Sequence, residues 1–137
     1  MNYRTLVLRA GIEKEIRQLE RSIARRESEK AAATSVLSHA PMAPSIDHDK
    51  VSRLATDIVY LREELKKRIV ERDEVLSFIG GIPDSTLRTA IRLHFVEGFT
   101  WDRIGRILHY DESTIRRKVN RYLGRNDYAE NSASPVI

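Results

Sequence analysis

The sequence lacks cysteine and long apolar runs, and it is poor in aromatic residues, glycine and proline. Among 137 residues there is no Cys, 7% are aromatic, six are Gly and four are Pro. The absence of cysteine excludes disulfides and thiolate metal sites and favours a reducing compartment. No apolar stretch approaches the roughly 20 residues that a membrane-spanning helix needs, and the first residues lack the apolar core of a signal peptide. We therefore expect a cytoplasmic protein without membrane contact.

Charge is abundant and unevenly distributed. The net formal charge is +4, and residues 84–125 hold nine Lys or Arg against five Asp or Glu. Within that segment, the stretch from Arg116 to Arg125 contains no acidic residue. Because the positive excess is densest in so short a segment, the sequence predicts a polyanionic partner for it.

Two stretches with narrow apolar seams predict two long helices. The first runs from about Thr5 to Val36 and the second from about Asp49 to Ile79. Between them, the segment 39–48 contains two prolines, which disrupt helical geometry, and Ser45 or Asp47 is placed to cap the second helix. The seam residues are Ile12, Ile16, Leu19 and Ile23 in the first stretch, and Val51, Leu54, Ile58, Leu61, Leu65, Ile69, Leu76 and Ile79 in the second.

An apolar seam this narrow is typical of a helix that packs against one other helix. Arg72 interrupts the second seam before Leu76, and the step from Leu65 to Ile69 is an extra four-residue spacing, so a local change of supercoil is expected there. Two such helices joined by a short loop predict an antiparallel hairpin, or a coiled coil. The alternative is that both seams face the helices of a second chain, and the two arrangements are compatible with each other. In either case we expect a homo-oligomer.

Three shorter helices are predicted after Gly80, Gly81 and Pro83. Asp84 or Ser85 caps the first of them, which extends to about Val96. Gly98 ends it, and Thr100 caps a helix over residues 101–108. Asp111, whose carboxylate is placed to accept from backbone N–H groups, opens a last helix reaching about residue 124. The expected core of this part is Leu87, Ile91, Phe95, Trp101, Ile104, Leu108 and Ile115.

The last two of these helices have the pattern of a helix-turn-helix. Gly105 is small enough for a close helix crossing, and Tyr110 is expected to plug the turn. Ile115 and Val119 point inward, which leaves a polar outer face suited to a DNA major groove, with Arg103 and Arg106 placed for phosphates. The predicted DNA-binding residues are Arg103, Arg106, Glu112, Ser113, Thr114, Arg116, Arg117, Lys118, Asn120 and Arg121.

About 40 residues of this segment resemble region 4 of sigma-70-type transcription factors. The shared pattern consists of Glu-Gly-Phe-Thr at 97–100, Trp-x-x-Ile-Gly at 101–105, and Tyr-Asp-x-x-x-Ile at 110–115. It is most similar to phage-associated autolysin-regulatory and late-gene activator proteins, in which such a module follows a long helical segment with a junction like Ile82-Pro83. The resemblance implies a transcriptional regulator of phage or prophage origin that binds double-stranded DNA and contacts RNA polymerase. His109 stands where the turn often has Gly, and Lys118 suggests that the third inward position has slipped to Val119.

Other interpretations of these residues remain open. The run at 116–118 could be a solvated helix face, Trp101 a plain core residue, and His94 half-buried packing. His39, Asp47, His48 and Asp49 lack the spacing of a metal site, and no catalytic arrangement stands out, so we expect no enzyme activity, metal or cofactor. One alternative function is a small terminase-like subunit for phage DNA packaging, which would form a closed ring. Another is a purely structural coiled coil.

The sequence thus predicts an all-α protein with three parts. Residues 1–80 form a long N-terminal antiparallel helical hairpin or coiled-coil oligomerisation arm. Residues 81–125 form a three-helix, helix-turn-helix DNA-binding domain, and residues 126–137 form a disordered tail.

Overall fold

The computed structural model describes residues 1–35 and 47–124, and every regular element in them is a helix. The all-α prediction is therefore confirmed for these residues. The predicted helix end at Val36, most of the proline-containing loop, Arg125 and the predicted tail lie outside the described residues. The elements are α1 (Tyr3–Leu8), α2 (Ile12–Ser35), α3 (His48–Gly80), α4 (Ser85–Ile91), a π-helical turn (Arg92–Val96), α5 (Trp101–Leu108) and α6 (Glu112–Tyr122).

The first predicted helix is broken near its start, so the expectation of one continuous helix from Thr5 was wrong. Asn2 caps α1 by accepting from the Thr5 N–H at 2.9 Å, and the chain turns before α2 at Gly11, whose φ is +76°. Glycine adopts this left-handed conformation without the steric cost that a Cβ would impose. The Gly11 N–H donates to the carbonyl oxygen of Phe95 at 2.9 Å, so the break ties the N-terminus to a distant part of the chain.

The chain divides into two compact units. The larger unit contains Met1–Lys14 and the described part of Val70–Ile137, and the smaller unit is Glu15–Ile69. This division differs from the boundary expected between residues 80 and 81. Both the first 14 residues and the last turns of α3 belong to the same unit as α4 to α6.

In the smaller unit, four residues of the apolar seams of α2 and α3 are buried, and the other seam residues are half-buried. Ile16 and Ile23 on α2 are almost inaccessible, as are Leu54 and Ile58 on α3. Ion pairs join the two helices, and Glu15, which comes before Arg26 and Glu27 on α2, has the latest of the three partners on α3. The pairs are Glu15–Arg68 (3.9 Å), Arg26–Asp57 (3.8 Å) and Glu27–Arg62.

The seam of α3 keeps a regular register through its charged positions, contrary to the expected shift to Leu76. Val75 is 1% exposed, whereas Leu76 is 36% exposed. Arg72 occupies the seam position between Arg68 and Val75, and its Nη1 lies 3.0 Å from Oε1 of Glu13. Because Glu13 accepts a hydrogen bond from its guanidinium, Arg72 can occupy a seam position. The three- and four-residue spacing of the seam therefore continues to Val75 and Ile79.

The core of the larger unit is wider than the sequence suggested. The expected Leu87, Ile91, Phe95, Ile104 and Ile115 are all buried. Trp101 and Leu108, which were expected in the core, are only half-buried. Further core residues come from outside the expected domain, namely Leu6, Ile12, Val75 and Ile79, together with Ile82 at the junction.

The N-terminal helix completes this core. Leu6 is fully buried, and the ring of Tyr3 meets the ring of Phe95 edge-on with centroids 6.0 Å apart. On the outer side, Arg9 pairs with Glu74 at 2.7 Å. The first residues of the chain therefore support the unit that carries α5 and α6.

Candidate nucleic-acid interface

The helices α5 and α6 are connected by a turn of three residues, 109–111, whose geometry is fixed at both ends. Thr100 caps α5, since its Oγ1 accepts from the Arg103 N–H at 3.2 Å. The helix ends at His109, which has φ 59° and ψ 41°. The left-handed backbone that glycine adopts freely is thus present in a non-glycine residue, at a conformational cost that the surrounding packing must offset.

The two helices cross at Gly105. A Cβ built on Gly105 would lie 2.7 Å from the carbonyl oxygen of Tyr110 and 3.5 Å from Cα of Glu112. Real Cβ atoms do not approach backbone oxygen so closely, so only glycine permits this crossing distance. The prediction that Gly105 allows a close approach is confirmed.

The beginning of α6 differs in two respects from what the sequence suggested. The carboxylate of Asp111 does not cap the backbone; instead, it accepts from the Ser113 hydroxyl at 2.5 Å. Tyr110 does not plug the turn, because its side chain is 40% exposed. The turn is held instead by backbone contact, with the Tyr110 N–H donating to the carbonyl oxygen of Gly105 at 2.9 Å.

The inner face of α6 rests on two fully buried residues, Ile115 and Val119. Val119 points inward, as the sequence predicted. Lys118 is half-buried beside it, and its Nζ lies 3.2 Å from Oδ2 of Asp84, the residue that caps α4. The Leu87 N–H and the Lys118 ammonium both hold the pKa of the Asp84 carboxyl below its usual value.

The outer face of α6 carries the polar residues that were expected to read DNA. A helix turns by about 100° per residue, so five of the predicted residues lie on the side opposite Ile115 and Val119. Among the described residues, Arg117 and Arg121 have no ion-pair partner, and both are exposed. The five residues are Ser113, Thr114, Arg117, Asn120 and Arg121.

The remaining predicted residues lie at the flanks of this face or away from it. Arg116 forms an i, i+4 pair with Glu112 at 3.6 Å. Exposed pairs of this kind contribute at most about 1 kcal/mol, so Arg116 can exchange Glu112 for a phosphate at little cost. Lys118 is not grouped with the outer residues, because it is paired with Asp84 at the α4 N-terminus.

On α5, the two predicted phosphate-binding arginines are both exposed. The guanidinium carbon of Arg103 lies 3.8 Å from the centre of the Phe99 ring, and stacking on an aromatic face restricts where its donors point. Arg106 pairs with Asp102 one turn earlier. Both arginines keep N–H donors available to an external anion, since each guanidinium has five.

An aromatic cluster fixes the start of α5, and sequence reasoning recognised only part of it. The ring of His94 stacks on Trp101, with centroids 3.9 Å apart and planes 19° from parallel. Its Nδ1 lies 2.8 Å from the Phe99 carbonyl oxygen, which can only accept, so Nδ1 carries the proton. Burial lowers the pKa of His94, although this hydrogen bond acts in the opposite direction. The interpretation of His94 as half-buried packing is confirmed.

The described residues show neither a metal cluster nor a membrane-spanning helix. Within 1–35 and 47–124, no three His, Asp or Glu side chains stand close enough to hold a metal ion. No helix in the same ranges is both long and apolar enough to cross a membrane. Comparison with protein-family models, curated proteins and solved structures finds no match to this chain.

Proposed function

We propose that the protein is a sequence-specific, double-stranded DNA-binding regulator of transcription. In this proposal, α5, the turn and α6 form a helix-turn-helix, with α4 and the π-helical turn as its third helix. The observation that carries the proposal is the outer face of α6, where Arg117, Asn120 and Arg121 stand opposite buried Ile115 and Val119. A recognition helix needs this combination of an anchored inner face and a polar outer face.

Each side chain on this face has a chemical role in the proposal. Arg117 and Arg121 offer bidentate donors to the O6 and N7 acceptors of guanine, and Asn120 matches the edge of adenine. Ser113 and Thr114 lie in the first turn, which enters the groove. The backbone of the duplex is held by Arg103, Arg106 and Arg116, which lie beside the reading face.

Helices α2 and α3 form an antiparallel hairpin within one chain in this proposal. The burial of Ile16, Ile23, Leu54 and Ile58 in a single chain supports it. The buried part of the seam is then covered within one chain, so association between copies uses the half-buried seam positions or other surfaces. A homo-oligomer that presents two recognition helices would read two half-sites of DNA.

The sigma-like resemblance adds phage or prophage origin and RNA polymerase contact to the proposal. The alternative, a small terminase-like subunit, uses the same DNA-reading chemistry. The two are separated by stoichiometry, because a dimer fits the regulator, whereas a closed ring of eight or more subunits fits the packaging component. Sedimentation of the full chain with and without DNA measures this directly.

The test of DNA recognition is selection of duplexes from a random library by the purified full-length protein. We expect a recovered motif with preferences at several adjacent positions. A double variant, Arg117→Ala with Asn120→Ala, is the matched control, because it keeps the buried face of α6 and removes the reading groups. Failure of the wild-type protein to enrich any motif would contradict the proposed function.

A further inference from the structure

The outer face of α2 carries a row of arginines that the proposed recognition module does not use. Arg17, Arg21 and Arg25 follow each other at four-residue intervals and are all exposed. The row lies on the side of the helix opposite buried Ile16 and Ile23. At a rise of 1.5 Å per residue, the three side chains are attached to the helix about 6 Å apart along its axis.

Two members of the row, Arg21 and Arg25, differ from several basic residues of α3. On α3, Arg62 pairs with Glu27, and Lys66 and Lys67 each pair with an acid three residues earlier, at 3.3 and 3.4 Å. Among the described residues, Arg21 and Arg25 have neither an ion-pair nor a hydrogen-bond partner for their guanidinium groups. The charges of Arg21 and Arg25 are therefore not neutralised within the described part of the chain.

The spacing also works against the helix itself. Like charges four residues apart repel across one helical turn, and Arg21 has such a neighbour on each side, Arg17 and Arg25. No acidic residue lies three or four positions from Arg21, where residues 17, 18, 24 and 25 stand. In the isolated protein these guanidinium groups repel one another, and a bound polyanion would offset the repulsion.

We infer that the row of Arg17, Arg21 and Arg25 is a second nucleic-acid contact, which binds the phosphate backbone of duplex DNA without reading its sequence. The inference rests on the proposed function and adds to it a contact made by the smaller unit. Arginine suits the role, because its planar guanidinium binds phosphate through two parallel hydrogen bonds. A regular row of single-sign charge matches the continuous charge of a DNA backbone, whereas an acidic protein surface would have to present acids at the same regular interval.

The test is the salt dependence of binding by the full-length protein to a 30-base-pair duplex of mixed sequence. The test variant is Arg21→Ala with Arg25→Ala, and the control is Lys66→Ala with Lys67→Ala, which removes the same charge from α3. Each phosphate contact contributes about 0.9 to the slope of log K against log salt concentration. We therefore expect the slope of the test variant to be smaller than that of the wild type by about 2, and the slope of the control to be unchanged. Weaker binding by roughly tenfold to a hundredfold at 0.1 M salt should accompany the change in slope.

The outcomes separate this inference from the function on which it rests. Alanine keeps helix propensity and removes like-charge repulsion, so circular dichroism should show the test variant folded, with a melting temperature no lower than that of the wild type. If Arg117→Ala weakens binding while the α2 variant and its control share the wild-type slope, the row is not a DNA contact, and an acidic protein surface becomes its best partner. If the wild-type protein binds neither this duplex nor any sequence from the random library, both proposals are overturned.

Discussion

The α carbon of Gly105 sits so close to the backbone of Tyr110 that a single added methyl group would lie 2.7 Å from the Tyr110 carbonyl oxygen. In the opposite direction, the Tyr110 N–H donates to the Gly105 carbonyl oxygen at 2.9 Å. These two contacts bring the end of the turn against the middle of α5, and they determine where α6 begins. The orientation of the proposed reading face therefore depends on the absence of one side chain.

Replacing Gly105 by alanine should destabilise the protein. The added Cβ meets backbone atoms, which cannot rotate away, so we expect a loss of about 1–3 kcal/mol in the free energy of unfolding. Gly80→Ala is the control, since a Cβ there meets nothing within 4 Å and alanine has the better helix propensity. Urea unfolding followed by circular dichroism compares the two. Equal stability of the two variants would show that the crossing is looser than described.

The turn itself was largely predictable from the sequence, because its determinants are local. The Thr100 cap, the small residue at 105 and the strained position at His109 each follow from residue type and spacing over about ten residues. The Asp111 cap was not predicted correctly, because its carboxylate has a competing local donor in Ser113. An Asp side chain near the start of a helix can accept from several local donors, and the sequence does not show which of them it bonds.

The contacts that the sequence did not reveal are long-range ones. The break at Gly11 matters because its N–H meets the carbonyl oxygen of Phe95, which lies 84 positions later. Similarly, Arg72 looked like an interruption of a seam because its partner, Glu13, is on another helix. Periodicity shows which face of a helix is buried, but it does not identify the residues on the other side.

The N-terminal helix should be essential to the stability of the larger unit. Leu6 is 0% exposed and Leu8, two residues later, is 80% exposed. We expect Leu6→Ala to lower the free energy of unfolding by about 2–5 kcal/mol, because it leaves a cavity in a packed core. Leu8→Ala, the same chemical change on the exposed side, should stay within about 0.5 kcal/mol of the wild type. Similar losses in both variants would mean that α1 does not pack as the structure shows.

A fragment beginning at Ile82 should not fold stably by itself. The sequence alone predicts that residues 83–124 close a small core of their own. The structure adds Leu6, Ile12, Val75 and Ile79 to that core. The fragment lacks these four residues, and a domain of its size is only marginally stable even with a complete core. Thermal melting of the fragment should show a broad, weakly cooperative transition. A sharp transition near that of the full chain would contradict this expectation.

The stability of the protein should fall as the pH drops from 7.5 to 5. Burial lowers the pKa of folded His94 below its usual value of 6.5, so the unfolded chain takes up the proton first as the pH decreases. The stabilising contribution is complete above pH 6.5 and is lost as the pH falls toward the folded pKa. His94→Gln should reduce this pH dependence. Identical pH profiles for the wild type and His94→Gln would contradict the assignment.

The most direct test of DNA reading by α6 is a titration of full-length protein with its selected duplex and with that duplex altered at one base pair at a time. Arg117→Ala and Asn120→Ala should each weaken binding by about 1–3 kcal/mol, which is roughly 5- to 150-fold, and each should relax the preference at a base position. Lys66→Ala, which removes a paired charge on α3, should bind as the wild type does. If both α6 variants retain wild-type affinity and base preference, α6 is not the reading helix.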